Sequence, residues 1–356
     1  MKIVSVICCF IAILTGCDQE VDISKLNIQF MALHQDNGVS LLDPKIDYAL
    51  NVDTGKLTNA KSPQSAVYGE KFFAIANLNS NNITLLDPTN PQTPMEVVVP
   101  HATKPYEIAY GKKVFAIANL HSNNVTLLNP QNPQNPTEVK FARAKSPQSI
   151  TFGHKFFAVS CGYNGYITFI NPDDPKNPIE INVRKRIEAK SPNQVAFGDV
   201  FFAFTDDKIL ILVKEDNLED VIQIKLPGDT SRSVVFGNGI FAVSNYHDNH
   251  VTYVNPKDRS TVTLNIAGGS SIGYGNGFFA FADEIKAVVT FVNAKTKKPI
   301  IMNLSKLIGA QLIGTPTFGN DLFAIPTINK IIFVNPLKIK KFTQIRVKKS
   351  IKIVAK

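Results

Sequence analysis

An alanine returns along this chain at Ala32, Ala74, Ala116, Ala158, Ala203, Ala242, Ala280 and Ala324, at intervals of 42, 42, 42, 45, 39, 38 and 44 residues. Seven of the eight follow a glycine by five positions: Gly69, Gly111, Gly153, Gly198, Gly237, Gly275 and Gly319. An aromatic residue precedes each of those glycines: Tyr68, Tyr110, Phe152, Phe197, Phe236, Tyr274 and Phe318. The plainest copy, residues 110–136, reads YGKKVFAIANLHSNNVTLLNPQNPQNP. A unit this short cannot bury its own apolar faces and must stack on its neighbours. The repetition therefore overrides the two or three domains that 356 residues would otherwise suggest. A period near 42 with several short strands per unit points to the blades of a β-propeller, an all-β fold.

Four strands are expected per unit. Strand A is the SAVYG, EIAYG, SITFG, QVAFG, SVVFG, SIGYG series, and its glycine is expected to supply a positive φ for the hairpin into strand B. Strand B (FFAIA, VFAIA, FFAVS, FFAFT, IFAVS, FFAFA, LFAIP) is apolar at almost every position, so both of its faces are expected to be buried. Strand C alternates, as in Ile83-Thr84-Leu85-Leu86, and Asp87-Pro88 ends it because proline cannot donate to a ladder. Strand D is more polar (Glu138-Val139-Lys140-Phe141) and suits an outer edge. Helical periodicity is absent after the first residues. The first unit, residues 28–52, has B, C and D but no A. The last unit is followed by KSIKIVAK, residues 349–356, which resembles the strand-A starts Lys61-Ser62-Pro63-Gln64 and Lys145-Ser146-Pro147-Gln148. The C-terminal strand is therefore expected to serve as strand A of the first blade and to close a ring of eight, with seven blades as the alternative.

The N-terminus reads as a targeting segment. Lys2 precedes an apolar run over residues 3–14, too short for a membrane span of about 20 residues. Leu14-Thr15-Gly16-Cys17 resembles the bacterial lipobox. That resemblance implies a signal peptide over 1–16, lipidation at Cys17, a polar tether over 17–27 and a propeller over 28–356. Cys8 and Cys9 then fall in the removed segment. Cys161 is left as the one other thiol, so no intrachain disulfide is expected. Cys161 itself reads as a small packed residue rather than a nucleophile. The charge of +9 (38 Lys and Arg against 29 Asp and Glu) permits contact with anionic surfaces. No arginine-rich run with interleaved aromatics appears, so no nucleic-acid partner is expected.

The segments ANLNSNNITLLDP and ANLHSNNVTLLNP resemble the YVTN-type propeller repeat, and the tails at 87–94 and 129–136 resemble the LVIVD repeat of bacterial surface proteins. The resemblance spans nearly all of 28–356. It implies a propeller on an exported protein and no one defined activity.

In a propeller the D–A and B–C loops share one face and ring the central channel. Lys61, Lys104, Lys145 and Lys190 precede strand A in four successive units, and Arg232 lies nearby in a fifth. Such a half-ring of charge would focus a positive field on an anionic group. Gln64, Gln148 and Asn193 follow as hydrogen-bonding candidates. The basic run 338–356 is a separate candidate for contact with anionic lipid. Among the strand-A series, Glu107 is the acidic exception. His247 and His250 have H-x-x-H spacing, and His121 sits in a matching loop, but no third ligand is evident, so no metal and no cofactor are expected. No Ser-His-Asp, P-loop or dinucleotide signature is present. The expectation is a monomeric, membrane-tethered lipoprotein of the cell envelope, on its periplasmic side or at the cell surface, that binds or scaffolds an envelope protein or an anionic ligand. The alternatives are a lactonase-like hydrolase or lyase at the channel mouth and a surface adhesin.

Overall fold

The computed structural model describes residues 26–356 except 35, 229–230, 246–249, 267–268, 270, 310, 312–313 and 348–349, and excepts the side chains of 231, 232, 308, 350 and 351. The proposed lipobox with Cys17, together with His247 and Lys349, lies outside the described residues, as does the side chain of Arg232.

Eight four-stranded antiparallel sheets form the blades. Seven are continuous in sequence, each running A-B-C-D from the channel outward. The eighth joins Phe30–His34, Val39–Asp43 and Tyr48–Val52 to the C-terminal strand Ser350–Ala355, which pairs with Phe30–His34. The closure expected from the chain ends is the one observed, and the seven-blade alternative does not hold. Eight hydrophobic clusters among the described residues sit one at each blade junction. Leu41 meets Phe73 between blades one and two, and Phe30 meets Phe333 between blades one and eight. This explains the uninterrupted apolar B strands: Phe72–Asn77 is buried at every position but its first because a neighbouring blade covers each face. The outer D strands are half exposed, as in Met95–Val98.

Strand C departs from expectation. Its alternation is real in sequence, yet Asn82–Leu86 is buried throughout. Thr84 is tolerated there because its hydroxyl bonds Thr58 Oγ1 at 2.8 Å and accepts from Asn77 Nδ2 at 3.0 Å. After the strand, the Asx-Pro pairs turn the chain through their own side chains. Asp87, Asn129 and Asn171 each accept the amide two residues on, at 2.8, 2.9 and 3.1 Å.

The strand-A glycines also act differently from expectation. Among the described glycines with positive φ, none is the repeated one. The turn residue after it takes that conformation instead: Glu70 (φ 54), Lys112 (φ 45), Asp199 (φ 58), Asn238 (φ 50), Asn276 (φ 47) and Asn320 (φ 48). What the glycine supplies is the missing Cβ. A Cβ on Gly69 would lie 2.3 Å from Tyr110 Cγ, and one on Gly111 would lie 2.1 Å from Phe152 Cγ. At Gly69, Gly111, Gly198, Gly237 and Gly275 the strand-A aromatic of the following blade rests on the bare glycine, whereas Gly153 is covered by Glu215 and Phe202 and Gly319 by Ala355 and Phe30. The strand-A aromatic also pairs within its own blade with a strand-B phenylalanine, for example Phe152 with Phe157 at 4.7 Å between centroids. Tyr110 reaches further and donates to Glu70 Oε1 at 2.8 Å; burial first, and that carboxylate second, push its phenol up to about 12.

Two one-turn helices, Thr54–Thr58 and Leu304–Ile308, occupy D–A connections where the sequence shows no helical period. Five residues are too few to express one. Both are capped by a side chain that accepts the third amide, Asp53 from Lys56 and Asn303 from Lys306. No helix among the described residues is long and apolar enough to cross a membrane. Cys161 is fully buried at the end of a B strand, 3.8 Å from Thr168 Oγ1, and burial pushes its thiol up to about 12. It is held as an inert thiol, as its isolation in the sequence suggested.

Candidate functional site

The channel mouth is built by a repeated irregularity. Along strand A of blade two, Pro63 pairs with Asn77 and Ser65 with Ala76, so Gln64 has no partner of its own. The same shift isolates Tyr106, Gln148 and Arg232 in blades three, four and six. A regular strand sends successive side chains to opposite faces, whereas a bulge lets two successive residues face the same way. Accordingly both members of each pair Gln64-Ser65, Tyr106-Glu107 and Gln148-Ser149 line one cavity of about 470 Å³; Asn193 and Gln194, just before the strand Val195–Gly198 of blade five, line it too, with Gly314, Thr315 and Lys352 completing it.

Lys352 is the cation of this cavity. Its Nζ donates to Ser65 Oγ at 2.9 Å and stands 3.9 Å from Glu107 Oε1, too far for a hydrogen bond. Both side chains are partly open to solvent, Lys352 at 36% and Glu107 at 28%. An ammonium has three donors, and the hydrogen bond to Ser65 uses one of them. The amides of Gln64, Gln148, Asn193 and Gln194 and the phenol of Tyr106 are engaged by no other described side chain. The mouth thus presents hydrogen-bonding groups in both senses around one ammonium and one carboxylate.

The sequence-derived candidates divide in this frame. Gln64, Gln148 and Asn193 line the cavity. Arg232 holds the same unpaired strand position as Gln64 and Gln148 by register. Lys61, Lys145 and Lys190 are exposed on the D–A loops outside the lining, and each is anchored through its backbone to its own blade, Lys61 and Lys145 at the B–C loop and Lys190 at the end of strand B. Their amides donate to Ser80 Oγ, Asn164 Oδ1 and Asp206 Oδ2 at 3.0, 3.1 and 2.7 Å. Burial holds Asp206 above the usual carboxylate range, against the pull of the Ser191 and Lys190 amides.

Lys104 does not share this position. In blade three the equivalent amide belongs to Thr103, which donates to Ser122 Oγ at 3.0 Å. Lys104 instead matches Ser62 and Ser146: all three have positive φ (58, 56 and 59), and each donates its amide to an asparagine of the preceding blade, Asn81, Asn37 and Asn123. The half-ring is therefore Lys61, Lys145 and Lys190, with threonine in the gap. Nor is the positive field unopposed, since Glu107 stands beside Lys352. The basic run 338–356 is folded into the ring as a D strand, Phe342–Arg346, and the closing A strand. Among the described residues no three His, Cys, Asp or Glu side chains gather as metal ligands.

Lys352, Tyr106 and Gln194 were not singled out from sequence. Once the C-terminal strand is given to blade one, the alignment that marks Gln64 also marks Lys352 as channel-facing. The cue for Tyr106 and Gln194 was the doubled polar position after Pro105 and Pro192, legible for Tyr106 only if a bulge is assumed.

No protein-family model matches the chain. No curated protein matches it by sequence. Solved structures do match in fold. Dihydro-heme d1 dehydrogenase NirN in complex with DHE superposes with a TM-score of 0.72 at 11% identity, over 94% of this chain and 76% of that one. Apo AztD from Citrobacter koseri gives 0.64 at 14%, over 92% and 97%. A catalytically inactive virginiamycin B lyase from Staphylococcus aureus with quinupristin gives 0.59 at 13%, over 80% and 95%. At these identities the likeness is one of architecture: the chain is a β-propeller, here of eight blades, and propellers include proteins described as a dehydrogenase and a lyase as well as others.

Proposed function

We propose that this propeller is a non-catalytic binding or scaffold module of the cell envelope, tethered through a lipid on Cys17, whose channel mouth receives an envelope protein or an anionic ligand. The observation that carries the reading is the polar lining: eight polar residues of blades two to five share one cavity with Lys352, several with hydrogen-bonding capacity that no described side chain uses. Among the described residues the lining holds one carboxylate, Glu107, beside the Lys352 ammonium. Lys61, Lys145 and Lys190 lie three residues before lining positions, within about 10 Å of them along the chain and so within about one Debye length.

The test is capture from detergent-solubilised envelopes with the full chain as bait. Lys352→Ala combined with Lys61, Lys145 and Lys190→Glu is expected to lower specific capture at least tenfold while the bait still fractionates with membranes. Undiminished capture by this variant, with its melting temperature unchanged, contradicts the reading.

A further inference from the structure

We infer that the channel mouth recognises an acidic saccharide, a sugar carrying a carboxylate; this rests on the binding reading above and names the ligand class. A simple anion site needs donors only, and a cation site acceptors only. This cavity mixes them. Four side-chain amides, those of Gln64, Gln148, Asn193 and Gln194, each offer a donor and an acceptor on neighbouring atoms. The Tyr106 phenol and the hydroxyls of Ser65, Ser149 and Thr315 add groups of the same dual character. Such a lining matches ligand hydroxyls, which also donate and accept at once.

The charged pair sets the rest of the requirement. Lys352 Nζ, bonded to Ser65 Oγ and 3.9 Å from Glu107, keeps donors for a ligand carboxylate. Glu107, whose polar partner among the described residues is that ammonium alone, can accept from two hydroxyls. Lys61 and Lys145 form no ion pair with a described residue and lie on D–A loops of the same face. A cavity of about 470 Å³ accommodates one or two sugar rings.

Isothermal titration of the full chain without its first 16 residues, against three probes, tests this: galacturonate and its dimer, galactose and its dimer, and citrate. Saturable binding of a uronate is expected, at least tenfold tighter than the matched neutral sugar and than citrate. It should weaken severalfold between 50 and 300 mM NaCl. Lys352→Ala should remove the preference for uronate over galactose, and Glu107→Gln should weaken both sugars. Equal binding of galactose and galacturonate overturns the acidic half of the inference; equal or tighter binding of citrate overturns the saccharide half. If no probe binds while envelope capture still depends on Lys352, the ligand class is wrong and the binding reading stands. If neither is seen, both fail.

Discussion

Deletion of residues 349–356 is expected to leave a chain that does not fold to a stable monomer. The strand Ser350–Ala355 is the inner strand of blade one and the hydrogen-bonded partner of Phe30–His34, pairing Phe30 with Ala355 through Leu33 with Lys352. Its buried residues serve two junctions at once: Val354 joins the cluster with Phe73, and Ile353 the cluster with Phe333. Losing two buried aliphatic side chains at about 1.5 to 3 kcal/mol each, together with a ladder of hydrogen bonds worth about 1 kcal/mol apiece, approaches the 5 to 15 kcal/mol that holds a typical domain together. The deletion also bares the edge of Phe30–His34, which is apolar at all but one position and fully buried in the intact ring. Calorimetry and gel filtration should show a lost or strongly lowered transition and aggregation. An unchanged melting temperature would refute this closure. Because Lys352 belongs to this strand, a ligand held by it under the proposed function would favour the closed ring by linkage.

The second large effect is expected from the smallest substitution. Gly111→Ala places a methyl 2.1 Å from Phe152 Cγ and 2.2 Å from its Cδ1. The ring cannot retreat freely, because Phe157 packs against it in a tilted pair, 4.7 Å between centroids, from within its own blade. Blade four must move off blade three or Phe152 must leave its rotamer, at a cost of about 3 kcal/mol. Gly239 and Gly277 supply the contrast. Their φ values are 78 and 75, and nothing lies within 4 Å of an added Cβ. Alanine there bears backbone strain of about 1 kcal/mol and no clash. Thermal melts should rank Gly111→Ala well below Gly239→Ala, and Phe152→Leu should partly restore the former. A Gly111→Ala protein melting within a degree of wild type would show that the glycine serves some other purpose.

The two kinds of glycine show what the sequence reveals and what it hides. The recurrence of Tyr-Gly or Phe-Gly at a steady period made the blades, their number and the closing strand legible, because each follows from stacking identical units. It did not reveal why the glycine recurs, since a turn and a bare packing surface demand the same residue; only the neighbouring blade distinguishes them. The channel mouth was half legible for a related reason. Gln64, Gln148 and Asn193 were visible as polar positions in an apolar series. Lys104 looked equivalent to its neighbours because it too precedes a strand-A proline, yet it stands one residue nearer that proline than Lys61, Lys145 and Lys190 do, and the backbone bonds of Thr103 fix the register. Lys352 and Glu107 come together across 245 residues of chain, the difference of their positions, and only ring closure brings them within 3.9 Å.

The claim on which the functional account turns is that the B–C and D–A face, and not the opposite one, meets the partner. Site-specific photocrosslinking decides it. A photoreactive residue is placed at Gln148, in the cavity, or at Lys113, in the A–B turn of the opposite face, in the full chain expressed in cells. The account predicts an adduct from position 148 that disappears in the Lys352→Ala background, and none from position 113. An adduct from position 113 with none from 148 would contradict it.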